Sequence, residues 1–366
     1  MKRSNQPDYI LLAVIGILVV FGLIMVSSAS ISQSQEKFHE SYYYLKNQLL
    51  KGLAPGLLLG LIAYFLPYRY LKSLALPLLA ITIIGLIMVF IPGLSAEHGG
   101  AKRWIVLGPI VLQPTEFLKL SFIIYLAAWL SSKGKAVKDF SEGLLPFLMM
   151  VGAVAFLVIM EPDIGTLGVI GFSSLIIYFL AGARISHLGI IGFGSVILFY
   201  LLTKFYSHAA NRLQVFLHPE LDPKGIGYQI NQAILALGSG GIFGLGLGQG
   251  VQKFKYLPEP ASDSILAVIG EELGFIGIMT LLLLFMIFTF RGFKVAQGAP
   301  DDFGRLLAGG ITGGITIQAL INMAAISGLI PLTGITLPFI SLGGSSLTIS
   351  LAGMGILLNI SKYSKL

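Results

Sequence analysis

Ten runs of apolar residues, each long enough to cross a bilayer as a helix, dominate this sequence. A transmembrane helix needs about 20 predominantly apolar residues. The runs occupy residues 9–30, 47–66, 72–92, 112–131, 144–160, 166–182, 187–203, 264–290, 304–330 and 345–361. Mean hydropathy is +0.86 and only 11% of the residues are charged, whereas soluble domains average about 25% charged residues. The sequence therefore predicts an all-α integral membrane protein with about ten spans, which excludes most classes of soluble enzyme.

The runs leave no room for a separate soluble domain, so we expect residues 1–366 to form a single polytopic membrane domain. The first run is too long for the core of a secretion signal and is predicted to be a retained helix. The longest connection, about 204–263, lies between the seventh and eighth runs. Connections of this length are commonly functional. Its apolar, glycine-rich segment 228–247 favours a short helix and a close turn at the membrane interface, and the connection is expected to carry part of the site.

Basic residues indicate an orientation. The short segments 133–138 and 291–305 carry several lysines and arginines, and such segments stay on the cytoplasmic side. Both termini are therefore predicted to be cytoplasmic, and the connection 204–263 to be outside. The basic excess, 24 Lys and Arg against 17 Asp and Glu, needs no nucleic acid to explain it, and no basic stripe or soluble module could bind one. The chain has no cysteine, which excludes disulfides, thiolate metal sites and cysteine nucleophiles.

Two predicted spans contain carboxylates, which are costly in a membrane and are therefore candidates for a functional site. Glu116 and Lys119 lie three residues apart in the fourth span, on one helix face, where they can pair. Two interpretations stay open for them: an ion pair that holds helices in register, or a pair that supports a neighbouring site. Glu271 and Glu272 are adjacent in the eighth span, so they cannot both face lipid. At least one is expected to face the protein interior or a partner.

Two outer turns also carry carboxylates. Asp163 belongs to the turn 161–166 between the fifth and sixth spans, and Asp263 follows Glu259 just before the eighth span. Either aspartate could simply cap the helix that follows it. For the turn 161–166, the alternative is that it faces the same outer cavity as Glu116 and helps to organise it. A helix N-terminus would stabilise the ionised form of Asp263.

Basic side chains flank these outer carboxylates on the side where a lipid phosphate would lie, and arginine suits phosphate through its two-pronged guanidinium group. They are Lys102, Arg103, Lys204, Arg212, Lys224, Lys253 and Lys255. The glycines between 238 and 250 fit neither of the nucleotide-binding motifs G-x-G-x-x-G and G-x-x-x-x-G-K, and no strand is predicted before them. We therefore expect no nucleotide and no organic cofactor.

Five strings resemble one family. They are HGGAKRWIVLGPIVLQPTEFLKL (98–120), EPDIGT (161–166), NRLQVFLHPELDPKGIGYQINQAILALGSGGIFGLGLGQG (211–250), YLPEPASDSILAVIGEELGFIG (256–277) and ISGLIPLTGITLPFISLGGSS (326–346). In this order they resemble the SEDS proteins (shape, elongation, division and sporulation), and among these the FtsW branch with its RodA and SpoVE relatives. The resemblance covers nearly the whole chain.

The resemblance implies a ten-helix peptidoglycan glycosyltransferase at the outer face of the bacterial cytoplasmic membrane. It would polymerise lipid II for cell division, with a class B penicillin-binding protein as partner. Asp263 matches the family's essential aspartate, and Glu116, Lys119 and Asp163 match other functionally important polar positions. The chain departs from the family pattern at four positions, which are Ala261 for His, Ser262 for Thr, Ser264 for Phe and Leu342 for Tyr.

The chemistry of the residues agrees with this assignment. A sugar hydroxyl that attacks a lipid pyrophosphate needs a base and positive charge on the leaving group. We expect Asp263 to be the base. Substrate binding and support are expected from Lys102, Arg103, Glu116, Lys119, Asp163, Arg212 and Glu259. A divalent cation, Mg²⁺ or Mn²⁺, is an expected helper, with Glu116 or Asp263 as its ligand.

Two other classes of protein compete with the glycosyltransferase. A flippase or transporter of lipid-linked precursors would show a charged cavity at the midplane and internally repeated broken helices, and a scaffold would not need Asp263. The candidate groups cluster toward the outer side instead, and the two halves of the chain show no convincing repeat. The glycosyltransferase is therefore the favoured hypothesis.

Overall fold

A computed structural model describes residues 6–98, 101–108, 110–219, 225–254 and 256–364. Twelve helices lie in these ranges. They are α1 (Tyr9–Phe38), α2 (Tyr43–Phe65), α3 (Tyr70–Met88), α4 (Pro114–Lys133), α5 (Phe140–Met160), α6 (Ile164–Leu180), α7 (Ile185–Phe205), α8 (Ser207–Leu217), α9 (Ile226–Ser239), α10 (Ile265–Gly298), α11 (Asp302–Ile326) and α12 (Gly344–Ser361).

Each predicted apolar run falls on one of these helices, and eight of the helices in the described ranges are long and apolar enough to cross a membrane. The eight are α1, α2, α3, α5, α7, α10, α11 and α12. The other two predicted runs correspond to α6 and α4. Helix α6 is shorter, with 17 residues, and α4 carries Glu116 and Lys119. The all-α membrane architecture is confirmed. The exact number of crossings and their orientation stay predictions.

A small antiparallel sheet between α3 and α4 was not predicted. Its strands β1 (Ser95–His98), β2 (Ala101–Leu107) and β3 (Ile110–Leu112) are ordered β1-β2-β3. Ile105 pairs with Ser95 on one side and with Leu112 on the other. Because β3 leads almost directly into α4, the sheet holds β2 close to the end of the helical bundle.

The centre of the bundle is formed by α11 and α12, whose side chains are the most buried among the candidate spans. Gly52, Gly56 and Gly60 lie along one face of α2 and pack against α12. A side chain at Gly355 would place its Cβ 2.1 Å from the carbonyl oxygen of Gly60. Small residues at this four-residue spacing are typical of close packing between membrane helices, and the structure contains it.

In the described residues of the long connection after α7, the predicted short helix and close turn are present. The connection forms α8 and α9, and then a series of turns over residues 240–252 that packs against α10. The backbone of α10 departs from helical geometry at Gly274, where φ is +66°, a region that glycine adopts without strain. A Cβ on Gly244 would lie 2.2 Å from the carbonyl oxygen of Glu272. The turns therefore lie directly on the helix backbone.

Both carboxylates of the eighth predicted span face the interior. Glu271 accepts hydrogen bonds from the backbone N–H groups of Val251 (2.8 Å) and Gln252 (3.1 Å). Glu272 accepts from Lys253 Nζ at 2.6 Å and from Ser28 Oγ at 2.7 Å. The expectation that Lys253 faces a lipid phosphate is therefore wrong. Its side chain is buried, because a carboxylate enclosed in a membrane helix needs a cationic partner.

Candidate functional site

One cavity of about 580 Å³ collects predicted residues from distant parts of the chain. Strand β2, the turn before α6, helix α8, the segment before α10 and the start of α12 all contribute to its wall. The polar residues of the wall include Arg103, Arg212, Glu259, Asp263, Thr336 and Ser346. Four of the eight predicted site residues, two arginines and two carboxylates, therefore line a single cavity.

Asp263 lies at this cavity wall in a polar setting. Its Oδ2 accepts a hydrogen bond from Gln229 Nε2 at 3.3 Å, and the same amide donates to Ser264 Oγ at 3.1 Å. Oδ1 is buried and has no hydrogen-bond partner among the described residues. The residue that caps α10 is Ser264, without a side-chain hydrogen bond. Helix capping therefore does not account for Asp263.

The electrostatic setting of Asp263 suits a general base. Burial, together with the nearby carboxylate of Glu259, raises the pKa of Asp263 to about 6, although the hydrogen bond from Gln229 lowers it. A base is most effective when its pKa lies close to the working pH. Asp263 is thus ionised at neutral pH and more basic than an exposed aspartate.

The main chain of Asp263 is held from α11. Asn322 Nδ2 donates to the carbonyl oxygen of Asp263 at 2.9 Å and to that of Ile335 at 2.8 Å. One side chain therefore joins the segment before α10 to the cavity wall that follows α11. Analysis of the sequence did not single out Gln229 or Asn322. The available signal was a neutral amide in an otherwise apolar helix, and most such amides have a purely structural role.

Arg212 supplies positive charge to the cavity from α8. Its Nη1 donates to the carbonyl oxygen of Thr333 at 2.9 Å. Burial and the neighbouring cation Arg103 lower the pKa of Arg212, while the carboxylates of Asp163 and Asp263 raise it. Arginine stays protonated in proteins. The cavity therefore holds two cations close enough to repel each other, an arrangement that a bound dianion would relieve.

Arg103 lies over the turn between α5 and α6. Its Nε donates to the carbonyl oxygen of Glu161 at 3.0 Å, and its Nη2 donates to that of Pro162. Asp163 caps α6, with Oδ1 accepting from the backbone N–H of Thr166 at 3.1 Å. The capping interpretation of Asp163 thus describes its hydrogen bond, while its charge raises the pKa of Arg212. Asp163 itself is not among the residues that line the cavity.

Glu161 is a buried carboxyl group whose position sequence analysis did not predict. Its side chain has 0% exposure, and neither carboxyl oxygen has a hydrogen-bond partner among the described residues. Burial and the charge of Asp163 raise the pKa of Glu161 to about 8, against the opposing effect of Arg103. Glu161 is therefore mostly protonated at neutral pH.

Replacing Glu161 by glutamine should stabilise the protein at high pH. The pKa of Glu161 rises from its ordinary value of 4.5 to about 8 on folding. The folded state therefore binds more protons than the unfolded state between these values, and the free energy of unfolding falls as pH rises through them. Glu161→Gln removes this loss. Thermal unfolding in detergent should show a variant more stable than the parent above about pH 8, with the difference vanishing toward about pH 4.5. A difference that does not change with pH would contradict the assignment.

Glu116 and Lys119 pair directly, outside the large cavity. Lys119 Nζ lies 2.8 Å from Glu116 Oε1 and donates to Gln318 Oε1 at 2.7 Å. The pair lines a separate narrow space of about 40 Å³ between α4 and α11. The ion-pair interpretation thus describes the contacts of Glu116 and Lys119. Their expected place beside the outer carboxylates is not observed.

Several predicted basic residues do not contribute a described side chain to the cavity. The backbone of Lys102 belongs to β2, but its side chain lies outside what the structure describes, as do Lys224 and Lys255. Lys204 is exposed at the end of α7, with Nζ 5.4 Å from the centre of the Tyr200 ring.

The positions that depart from the family pattern are tied into this wall. The carbonyl oxygen of Ala261 accepts from the backbone N–H of Leu342 at 2.8 Å, and that of Ser262 accepts from Ser341 Oγ at 2.6 Å. Ser264 Oγ shares Gln229 with Asp263. The segment around Asp263 is thus anchored through backbone carbonyl groups that any residue would provide.

Comparison with known proteins assigns the chain to a family. The family model for FtsW, RodA and SpoVE, described as a cell cycle protein, matches residues 8–366. The chain is 41% identical to stage V sporulation protein E of Bacillus subtilis, over 99% of both chains. It is 42% identical to the protein named probable peptidoglycan glycosyltransferase FtsW of Trichlorobacter lovleyi, over 100% of this chain and 95% of that one.

Solved structures agree in fold. One is a chain of a peptidoglycan synthase complex that coordinates polymerization and crosslinking, with a TM-score of 0.81 and 27% identity over 98% of this chain and 99% of that one. Another is the rod shape determining protein RodA of Thermus thermophilus, with a TM-score of 0.71 and 28% identity over 98% of each chain. The fold and the cavity are those of a polytopic membrane protein. The chain belongs to the FtsW/RodA/SpoVE family of cell cycle proteins.

Proposed function

We propose that this chain is a peptidoglycan glycosyltransferase that polymerises lipid II. The observation that carries the proposal is the joint position of Asp263, Arg103 and Arg212 on one cavity. Such a cavity offers a base and two cations to a single bound substrate. The names of the FtsW relatives support this class of activity, and the family description supports a role in cell division.

In the proposed reaction a sugar hydroxyl attacks the anomeric carbon of a lipid-linked sugar. Asp263 accepts the proton of the attacking hydroxyl. The bond from the anomeric carbon to the pyrophosphate breaks, and Arg103 and Arg212 stabilise the negative charge on the departing pyrophosphate. Direct displacement inverts an α-linkage to a β-linkage. A single base is therefore sufficient, and no covalent intermediate with the protein is required.

A divalent cation, Mg²⁺ or Mn²⁺, remains part of the proposal. Asp263 Oδ1 is a buried carboxylate oxygen without a partner among the described residues. The carboxylate of Glu259 is close enough to raise the pKa of Asp263. These donors fit Mg²⁺, which commonly binds one or two carboxylates together with substrate phosphates. The cation would supply further positive charge to the pyrophosphate. Glu116 does not fit as a ligand, because it is paired with Lys119.

We further propose that the chain works in the cytoplasmic membrane of a bacterium, beside a class B penicillin-binding protein. The synthase complex that resembles this chain coordinates polymerization and crosslinking. A polymerase that acts on a lipid-linked sugar needs a transpeptidase nearby to crosslink the new strand. The cavity is proposed to open toward the outer face.

The proposed orientation can be tested with single cysteines, because the parent chain has none. Lys135 and Lys204 are both exposed lysines, predicted to lie on opposite sides of the membrane. In intact spheroplasts, a membrane-impermeant maleimide should label Lys204→Cys, and should label Lys135→Cys only after permeabilisation. The unmodified parent supplies the blank. Labelling in the reverse order would show that the orientation is inverted.

The decisive experiment for the proposed function is reconstitution. The purified chain, with and without a class B penicillin-binding protein, is given fluorescent lipid II in proteoliposomes, and glycan strands are separated by length. We expect strands that grow with time. Transfer of lipid II across the bilayer without any glycan product would instead indicate a flippase.

A further inference from the structure

A line of hydrogen bonds leads from the ion pair on α4 to the wall of the large cavity. Lys119 Nζ donates to Gln318 Oε1 at 2.7 Å, next to its contact with Glu116. On the other side of the same amide, Gln318 Nε2 donates to the carbonyl oxygen of Thr336 at 2.9 Å and to its Oγ1 at 3.2 Å. Thr336 Oγ1 lies 2.9 Å from Ser346 Oγ. Both hydroxyl-bearing residues line the cavity that contains Asp263.

The ion pair determines which way the Gln318 amide faces. A lysine ammonium group can only donate hydrogen bonds, so the oxygen of the amide must face Lys119. The NH₂ group of Gln318 must then face Thr336. Turning the amide over would place its NH₂ group against the ammonium group of Lys119 and leave the carbonyl oxygen of Thr336 without its donor. The orientation of the amide is therefore set outside the cavity.

This orientation leaves one hydroxyl proton for the cavity. The Thr336 and Ser346 pair has two hydroxyl protons, and one of them makes the hydrogen bond within the pair. Gln318 cannot accept the second, because it presents only N–H groups to Thr336. With the amide reversed, Thr336 would donate to Gln318 and Ser346 would donate to Thr336. No proton would then remain. In the observed arrangement the pair acts as a hydrogen-bond donor toward the cavity.

We propose that the Thr336–Ser346 pair is a substrate subsite that donates a hydrogen bond to an acceptor oxygen of the bound lipid-linked sugar. Gln318 is a positioning residue. Because Lys119 fixes the orientation of its amide, the Thr336–Ser346 pair can donate a hydrogen bond toward the cavity. The acceptor is a pyrophosphate oxygen or the carbonyl oxygen of a sugar acetamido group. The inference rests on the proposed function, and it gives the Glu116–Lys119 ion pair an effect inside a cavity that it does not line.

The first test removes the donor at the cavity. Combining Ser346→Ala with Thr336→Val removes both hydroxyls and should lower kcat/KM for lipid II by about 5- to 10-fold, the usual scale for one hydrogen bond, with most of the change in KM. Either single variant leaves one hydroxyl whose proton is free for the cavity, so its effect should be smaller. Thr336→Ser keeps both hydroxyls and should keep parental activity. Thr316→Val is the matched control, because Thr316 forms a similar hydroxyl pair with Thr289 at 2.8 Å and lies elsewhere on α11. A Ser346→Ala/Thr336→Val variant with parental kinetics would overturn the inference.

The second test replaces the donor that Gln318 presents to Thr336 by an acceptor. Gln318→Glu keeps an oxygen for Lys119 but presents an acceptor to Thr336, so it should also raise KM. Its effect should largely disappear in a Thr336→Val background, where no hydroxyl faces the new carboxylate. A merely structural role for Gln318 predicts additive effects instead, because the contact of Gln318 with the carbonyl oxygen of residue 336 is kept in Thr336→Val. Additive effects would therefore remove Gln318 from the inference.

Inhibition by undecaprenyl pyrophosphate distinguishes the two acceptors. If combining Ser346→Ala with Thr336→Val weakens this inhibition, the acceptor is a pyrophosphate oxygen. If only the KM for lipid II changes, the acceptor belongs to the sugar. A parent protein that forms no glycan would refute the proposed function itself, whereas an active parent with silent variants would refute only this subsite.

Discussion

Asp263→Asn should abolish most lipid II polymerisation while leaving the protein folded. Asparagine has the size of aspartate and can still accept from Gln229, whose Nε2 lies 3.3 Å from Oδ2. It lacks the negative charge and the basicity that would take a proton from the attacking hydroxyl. General-base catalysis contributes roughly 10² to 10⁴-fold, so we expect a loss of that size in the rate of glycan formation. Thermal unfolding and binding of the penicillin-binding protein serve as controls, and both should match the parent. Polymerisation within a few-fold of the parent would remove Asp263 from the chemistry.

The pH dependence of the parent's activity is a second test of Asp263 as the general base. Because the pKa of Asp263 is raised to about 6, the fraction of ionised base falls as pH drops through that value. Without an added divalent cation, whose binding to Asp263 would lower this pKa, we expect kcat/KM to be level at neutral pH and to decline about tenfold per unit well below pH 6. The residual activity of Asp263→Asn should not show this decline. An unperturbed aspartate would instead keep full activity down to about pH 5.

The second large effect is expected on stability, from Lys253→Met. Lys253 and Glu272 are both almost fully enclosed, and their charged atoms lie 2.6 Å apart. Methionine keeps the length of the side chain but leaves Glu272 as a buried charge without its cation. Breaking a buried ion pair from one side costs about 3 to 5 kcal/mol. Thermal unfolding in detergent should therefore shift to a clearly lower temperature.

Two further variants show whether the lost charge pair is the cause. Lys253→Met combined with Glu272→Met removes both charges and should recover most of the lost stability, because apolar replacements of buried ion pairs are often neutral. Lys204→Met changes an exposed lysine at the end of α7 and should leave the unfolding temperature unchanged. If the double variant were as unstable as Lys253→Met, packing rather than charge would explain the loss.

The helices were predictable because a bilayer demands long apolar runs, and such runs are visible in a single sequence. The small sheet was missed because β1 and β2 are short and include charged residues without a regular alternation. The cluster of Asp263 with Arg103 and Arg212 could be anticipated, because charged residues at the ends of membrane helices avoid lipid and face the protein interior or a water-filled cavity. Their contacts could not, because they depend on how β2, α8 and α10 pack.

Lys253 shows why sequence analysis failed at one position. A lysine in a glycine-rich connection looks solvated, and only its three-dimensional neighbours reveal that Glu272 and Ser28 enclose it. Gln318 was overlooked for a related reason. A neutral amide in a membrane helix carries no charge, so the sequence does not mark it as a candidate. Its role becomes apparent only when the structure shows the hydrogen-bond partners of both the oxygen and the nitrogen of the amide.

The packing of α2 against α12 has a consequence for synthesis of the protein. Asn359 Nδ2 donates to the carbonyl oxygen of Tyr64 at 2.6 Å, although the two residues are 295 positions apart. At about 5 to 20 residues per second, a ribosome needs roughly 15 to 60 s to cover that distance. During this interval the glycine face of α2 lies in the membrane without its partner. Closure of the bundle is therefore a late event in translation, and a chain that stops before α12 would expose to the cell's quality-control proteases the helix surface that α12 covers.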